Sequence, residues 1–520
     1  MLAFHFDLKH AMWSESYMNR FASMLAGWGY NTILYEVEDK FRFSRHAAIA
    51  HRDALSAAET GARMASLRKR GFTVIPMVQS LGHAEYVLTK PGYEHLRESP
   101  AHSSQYDPLS EESKALVCEL IGELVDAIRP EDFFHLGGDE TWNLGQSEKC
   151  KPVVADIGTG GLYLRHMLRI VEHVIRRGLR PVLWADIALT HPDIVAQFPR
   201  EVVWMDWDYW TGGERWDSIR IWGKGVYTRK DLAMQDLPSF HQHLARFAID
   251  EQTGRDGTFR GFYCTDALRD GGFDVIVAPA TRCYGDTMGI PYNTVHLPNC
   301  FAAARKGRQA GLGACVTSWA VRHSHPEVNL PGAFAAAQAF AGGQRFDRTA
   351  LLRTYTERHY GAAMPEFAEA VHQAEVRVPW SESREMPAPG KEQEALKAWL
   401  ARVDQQPGGR AALCAAVESA ATGFQAAEAS LAAMRSKAKT NARNLDYWLE
   451  GVGYSAFCSA FARAALEERL AAEASSLREQ LTAQRERTRV LFADTFPITS
   501  VNEELSIRYA FHEAILGVQS

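Results

Sequence analysis

Cysteine is scarce in this chain and scattered. The eight thiols fall at positions 118, 150, 264, 283, 300, 315, 414 and 458. No Cys-x-x-Cys pair and no zinc-ligand spacing occurs among them, so they read as reduced, mostly buried residues and not as a metal-binding set. No apolar run reaches membrane-spanning length. A basic excess is missing too: the formal net charge is -6, which gives no reason to expect nucleic acid or an anionic membrane as a partner. Strand-like sequence begins at Leu2, leaving no space for a basic n-region, an apolar h-region and a cleavage site, so the chain reads as cytoplasmic. No Gly-x-Gly-x-x-Gly opens the first unit, which argues against an open dinucleotide-binding sheet.

What is present is an alternation. Short apolar runs at Leu2 to Asp7, Thr32 to Val37, Thr73 to Val78, Phe133 to Leu136, Arg180 to Trp184, Val202 to Met205, Asp274 to Ala278 and Ala314 to Ser318 predict eight strands. Helical periods lie between them at Glu15 to Gly27, Ser56 to Arg70, Glu111 to Ile128, Gly161 to Arg177 and Asn299 to Gln309. Lys69-Arg70-Gly71 and Arg176-Arg177-Gly178 are the basic-then-Gly stops expected of helix ends. Eight strand-helix units imply an α/β fold, a closed (β/α)8 barrel with right-handed crossovers. The longest connection, Tyr209 to Phe273, is rich in Trp, Gly and charge and reads as an insertion over the pocket. After Gly343 the composition shifts to Ala, Glu, Arg and Leu at helical spacing, so the predicted domains are a barrel over 1–343 and an all-helical domain over 344–520. Val417, Phe424 and Leu431 recur by sevens, and Leu466, Leu470, Leu477 and Leu481 by four and seven. That spacing predicts a bundle packed on the barrel; a homodimer through these helices is the alternative it leaves open.

In a parallel barrel the chemistry belongs at the carboxyl ends of the strands. Those exits carry Asp7 and Lys9; Glu36, Glu38 and Asp39; Gln79 and His83; His135, Asp139 and Glu140; Trp184 and Asp186; Trp204, Asp206, Trp207, Asp208 and Tyr209; Arg282, Tyr284 and Asp286; and Trp319, Arg322 and His323. Aromatic walls with a few charged groups suit a sugar, since flat apolar faces take the ring and charged forks take its hydroxyls. The fourth exit is the most informative. Phe133 to Leu136 is an apolar run, Gly137-Gly138 lets the backbone turn sharply, and two acids follow at once. An acid pair after a strand is by itself as well explained by a helix cap. In this setting, beside Trp142 and behind a buried strand, one carboxyl is expected to gain a raised pKa and act as a proton donor.

The run Phe134 to Trp142 resembles the acid-pair motif of glycoside hydrolase family 20, the retaining β-N-acetylhexosaminidases. Phe6 to Lys9, Tyr35 to Phe41 and Val78 to Glu85 resemble that family's hexosaminidase D branch, and the likeness covers roughly the first two-thirds of the chain. The resemblance implies substrate-assisted hydrolysis of terminal β-linked GalNAc or GlcNAc on glycans or glycoconjugates, without cofactor or metal. It further implies Glu140 as general acid and base, Asp139 as the group holding the 2-acetamido N–H, and His83 and His135 as braces of the pair. Trp184, Trp207 and Trp319 would line the acetamido pocket. For the tyrosine on the acetamido oxygen both Tyr209 and Tyr284 qualify, with Tyr209 favoured.

Many family members place an arginine after the first strand, whereas this chain has Lys9, a point charge without a planar fork. That loosens any inference about the sugar's O4 epimer, and the hexosaminidase D likeness inclines the reading to β-GalNAc with β-GlcNAc close behind. Lys9 serves equally well as a structural partner of Asp7 or Asp39. Two rival readings share these residues. In one, His83, His135, Asp139 and Glu140 hold a divalent metal in a barrel hydrolase, although no His-x-His follows the first strand. In the other the protein binds sugar without hydrolysing it, although both carboxylates are intact.

Overall fold

The computed structural model describes residues 1–319, 324–343 and 345–518; Arg322 and His323 lie outside the described residues. Eight parallel strands close into a barrel in chain order: β1 (Leu2–Asp7), β2 (Thr32–Glu36), β3 (Thr73–Met77), β4 (Phe133–His135), β5 (Arg180–Trp184), β6 (Val203–Trp207), β7 (Asp274–Ala278) and β8 (Gly313–Val316), with β8 pairing back onto β1. All eight are the runs read from the sequence. The first, fifth and seventh coincide with the predicted runs, the second, third, fourth and eighth stop one or two residues short of them, and the sixth runs on to Trp207, two residues past its predicted end. The strands are buried on both faces, which is why they read as continuous apolar runs. Inside the barrel Leu34, Ile75, Met77, Val182, Trp184 and Met205 belong to one packed cluster.

Helices Glu15–Gly27 and Glu111–Ile128 span the predicted residues, each opened by a serine, Ser14 or Ser110, whose side chain accepts a backbone N–H of the first turn. Two helices start earlier than predicted. Lys151–Arg176 runs through Gly158, where φ of 73° breaks the helix locally. Asn293–Ala310 contains Pro298, which costs one intrahelical bond but does not stop a helix packed along its length. The β3–β4 connection carries a small hairpin of Arg97–Ser99 and His102–Tyr106 that period-2 reading does not reveal. Between β6 and β7 an insertion forms two short antiparallel pairs, Ser218–Ile221 with Gly225–Thr228 and Arg215–Trp216 with Phe259–Arg260.

Beyond Phe340 every described element is helical, the longest being Gly409–Lys437, Ala442–Leu466 and Leu470–Phe492. Val417, Phe424 and Leu431 are buried inside the chain, where the bundle reading puts them. The second seam is not continuous. Leu466 ends one helix and Leu470 begins the next, separated by Glu468 at φ 57°, so their spacing of four marks a corner between helices. A single apolar cluster runs from Leu2 to Leu516, so barrel and helices share a core. The contact is backbone-close where Gly289 meets Gly451: a Cβ on Gly289 would stand 2.3 Å from the Cα of Gly451.

Candidate active site

Strand β4 ends in a turn that only glycine can make. Gly137 and Gly138 have φ of 64° and 87°, and a Cβ on them would meet Gln79 Oε1 at 2.0 Å and the Tyr163 hydroxyl at 2.8 Å. The turn throws Asp139 and Glu140 onto the carboxyl end of the barrel. Glu140 is itself left-handed, at φ 49°, as are His83 at 53° and Glu38 at 43°. Non-glycine residues in this region are strained, and strain of this kind gathers at functional sites.

His83 stands between the two acids, with Nε2 3.5 Å from Asp139 Oδ2 and 3.3 Å from Glu140 Oε2. Burial alone would lower its pKa, but the two carboxylates raise it well above the ordinary histidine value. Asp139 is only 5 % exposed, and its Oδ1 has no hydrogen-bond partner among the described residues. Behind the pair, Asp186 is 1 % exposed and its Oδ2 accepts the Glu140 N–H at 3.0 Å. Burial, then the charge of Asp139, pushes its pKa up to about 8. Asp186 therefore supports the acid pair from beneath and carries a proton near neutral pH. Trp142, expected beside the pair as an apolar wall, is 60 % exposed: the chain turns away after Thr141, and the environment around the acids is made by His83 and Asp186.

His135 does not touch the acids. Its Nδ1 accepts the Gly137 N–H at 3.0 Å, its ring lies 4.6 Å from that of Trp184, and burial drives its pKa down to about 3. It is a neutral brace of the Gly-Gly turn. Trp184 is fully buried in the barrel interior, with Trp319 above it at 5.6 Å. Tyr209 joins this group: its hydroxyl accepts from Trp319 Nε1 at 3.0 Å, and its ring packs 4.9 Å from Trp207. The insertion backs Trp207 with Trp222 at 4.5 Å. Tyr284 stands apart, 66 % exposed, under the Arg384 guanidinium at 5.5 Å.

On the β1–β2 side lies a polar network that sequence reading named only in part. His5 Nε2 and Gln79 Nε2 contact the Glu36 carboxylate at 2.9 and 2.8 Å. Burial would raise the Glu36 pKa, but the His5 hydrogen bond and nearby charges lower it to about 2. Lys9 pairs with Glu38 at 3.1 Å, not with either suggested acid. Asp7 accepts the Lys9 backbone N–H at 2.8 Å, and Asp39 pairs with Lys40 at 2.6 Å. Burial, with Lys9 opposing it, leaves the Glu38 pKa at about 8. The signal for this network was His5, a polar residue in an otherwise apolar strand and on the same face as Asp7. Among the described residues, ligand-type atoms converge within 4.8 Å at His5, Asp7 and Glu36, and at Cys414, Glu418 and Glu467; the rival metal set of His83, His135, Asp139 and Glu140 forms no such group.

Residues 64–223 match the glycosyl hydrolase family 20 catalytic domain. Hexosaminidase D of Bos taurus is 30% identical over 213 residues, covering 39% of this chain and 62% of that protein. Hexosaminidase D of Homo sapiens is 29% identical over 213 residues, covering 39% of this chain and 44% of that protein. The matched stretch thus spans less than two thirds of either relative. In fold, the chain is similar to the chitobiase of Flavobacterium johnsoniae, with a TM-score of 0.50 and 14% identity over 98% of this chain and 77% of that one. The span that matches the family begins in the helix after β2 and ends in the insertion after β6, taking in the acid pair; over it the chain is similar to the glycosyl hydrolase family 20 catalytic domain.

Proposed function

We propose that the protein is a retaining exo-β-N-acetylhexosaminidase acting on glycans with terminal β-linked GalNAc or GlcNAc, with β-GalNAc the preferred sugar. The observation that carries this reading is Asp139, whose buried Oδ1 lacks a partner among the described residues while its neighbour Glu140 reaches the open mouth. A buried acceptor left unpaired is costly, and an acetamido N–H docked there satisfies it. With Asp139 holding that N–H, the substrate's acetamido oxygen attacks the anomeric carbon from within the same molecule. Glu140 protonates the departing glycosidic oxygen and then takes a proton from the incoming water. Asp139 stabilises the positive charge of the cyclic oxazolinium. The proton on Asp186 keeps a second negative charge from forming behind Asp139. The packing of Tyr209 beside Trp319 and Trp207 supports reading it as the tyrosine that meets the acetamido group.

Hydrolysis of paired chromogenic β-GalNAc and β-GlcNAc substrates tests the reading. Turnover is expected with both, unaffected by prolonged chelation, while β-galactosides and β-glucosides, which lack the acetamido nucleophile, fail. A thiazoline analogue of the intermediate should inhibit strongly. The first product should be the β anomer by NMR. An α anomer, or a glycosyl-enzyme trapped with a 2-fluoro sugar, overturns the mechanism; loss on EDTA restored by zinc moves the metal reading forward.

A further inference from the structure

We infer that Cys283, on the turn that leaves β7, is a reactive thiol and a modification site, exchanging with small soluble disulfides to carry a mixed disulfide. The inference stands apart from the hydrolase reading above and holds with or without it. Cys118, Cys283 and Cys414 are half-buried, while the other five cysteines are buried. What surrounds these three differs. Burial raises the pKa of Cys118. Cys414 donates to Glu467 at 3.5 Å, and burial together with that carboxylate raises its pKa as well. Both are held in the thiol form, which is the unreactive one.

Cys283 is set among cations instead. The turn over residues 283–286 closes on Asp286, whose Oδ2 accepts the Cys283 N–H at 3.3 Å and lies 3.0 Å from His296 Nε2. His296 comes from the helix Asn293–Ala310 and is 2 % exposed. Burial would lower its pKa, but Asp286 and then the Cys283 side chain raise it to about 10, and its Nδ1 has no hydrogen-bond partner among the described residues. Arg282, 1 % exposed, gives Nη2 to the Thr287 carbonyl at 2.6 Å and leaves Nε and Nη1 likewise unpartnered. Arg384, itself paired with Glu382, covers the turn: its guanidinium lies 5.5 Å from the Tyr284 ring centre, and a Cβ on Gly285 would meet its Nη2 at 3.2 Å. A half-exposed sulfur beside an imidazolium and guanidiniums is in the setting that stabilises a thiolate. To reach that form the thiol gives up only a long bond to the Tyr284 carbonyl, at 3.5 Å. In the exchange the Cys283 sulfur attacks one sulfur of a disulfide R–S–S–R. A protein–S–S–R bond forms, the original S–S bond breaks, and R–S⁻ leaves with the electron pair and takes up, through solvent, the proton that Cys283 lost. Cys283 is oxidised as the departing half of the disulfide is reduced.

The test follows the folded, full-length chain as it reacts with a chromogenic aryl disulfide. One thiol is expected to react on the order of tenfold faster than the other two half-buried ones. Cys283→Ser should remove that fast phase alone, and His296→Gln should slow it while leaving the phases of Cys118 and Cys414 as they are. With glutathione disulfide as the second probe, intact mass should rise by one glutathione, peptide mapping should place it on Cys283, and dithiothreitol should remove it. A fast phase that survives Cys283→Ser or is untouched by His296→Gln overturns the proposal, as does an adduct that maps to Cys118 or Cys414. If His296→Gln does not fold, the wild type and Cys283→Ser decide, because equal rates at all three thiols overturn it as well.

Discussion

Both the barrel mouth and the C-terminal helices bury charge, but they do so in opposite ways. In the helices Glu450, 1 % exposed, meets Arg508 at 2.9 Å and accepts from Thr488 at 2.6 Å and Gln484 at 3.2 Å. At the mouth acids are buried beside acids: Asp186 behind Asp139, Glu38 near Glu36, with Oδ1 of both Asp139 and Asp186 unpaired among the described residues. Left-handed backbone at Glu38, His83 and Glu140 adds strain there. Buried polar atoms without a hydrogen-bond partner occur in both regions, Arg508 Nε and Nη1 among them; what sets the mouth apart is like charges held together on strained backbone, a combination that gathers at functional sites.

That contrast can be broken from either side. The largest effect is expected from Glu140→Gln, which keeps the shape but removes the proton: turnover of poor leaving groups should fall about 10²–10⁴-fold with Tm little changed. Near-normal hydrolysis of an unactivated glycoside would reject Glu140 as the acid. Asp139→Asn should cost about 10²–10³-fold in kcat, since an amide cannot balance the developing cation; a variant affected only in KM would move Asp139 out of that role. On the helical side, Glu450→Ala strands Arg508 without its partner and should lower stability by about 3–5 kcal/mol in denaturant melts. The folded fraction should lose far less turnover than either acid-pair variant, and a loss as large would dissolve the distinction between the two regions.

The smallest effect concerns pH. Burial pushes Asp186 and Glu38 up to about 8 and Asp206, held by Thr265 at 2.6 Å, to about 7. A carboxyl whose folded pKa is raised binds its proton more tightly in the folded state, so these groups make stability fall as pH rises from about 4 to 8. Glu36, lowered to about 2, works in the other direction, and its contribution is lost as pH falls from about 4 through 2. Asp186→Asn removes one raised titration, so the drop in Tm between pH 5 and 8.5 should be smaller than in wild type. An unchanged drop would show that Asp186 is not protonated behind Asp139.

The sequence by itself determined what depends on near neighbours. Eight apolar runs became the barrel strands because a strand buried on both faces needs nothing more than a short unbroken apolar segment. Gly137-Gly138-Asp139-Glu140 announced the acid pair because the turn leaving β4 excludes any Cβ. Only the tertiary structure decided what meets across the barrel. It put Asp186 beneath Glu140, from 46 residues away, gave Lys9 to Glu38, and brought Tyr209 to Trp319 while leaving Tyr284 in solvent. It turned Trp142 outward and brought Phe492 and Phe496 to the same cavity as Trp319. Periodicity reports which face of an element is buried but not against what; that choice follows from how whole elements pack, and residues far apart in the chain settle it together.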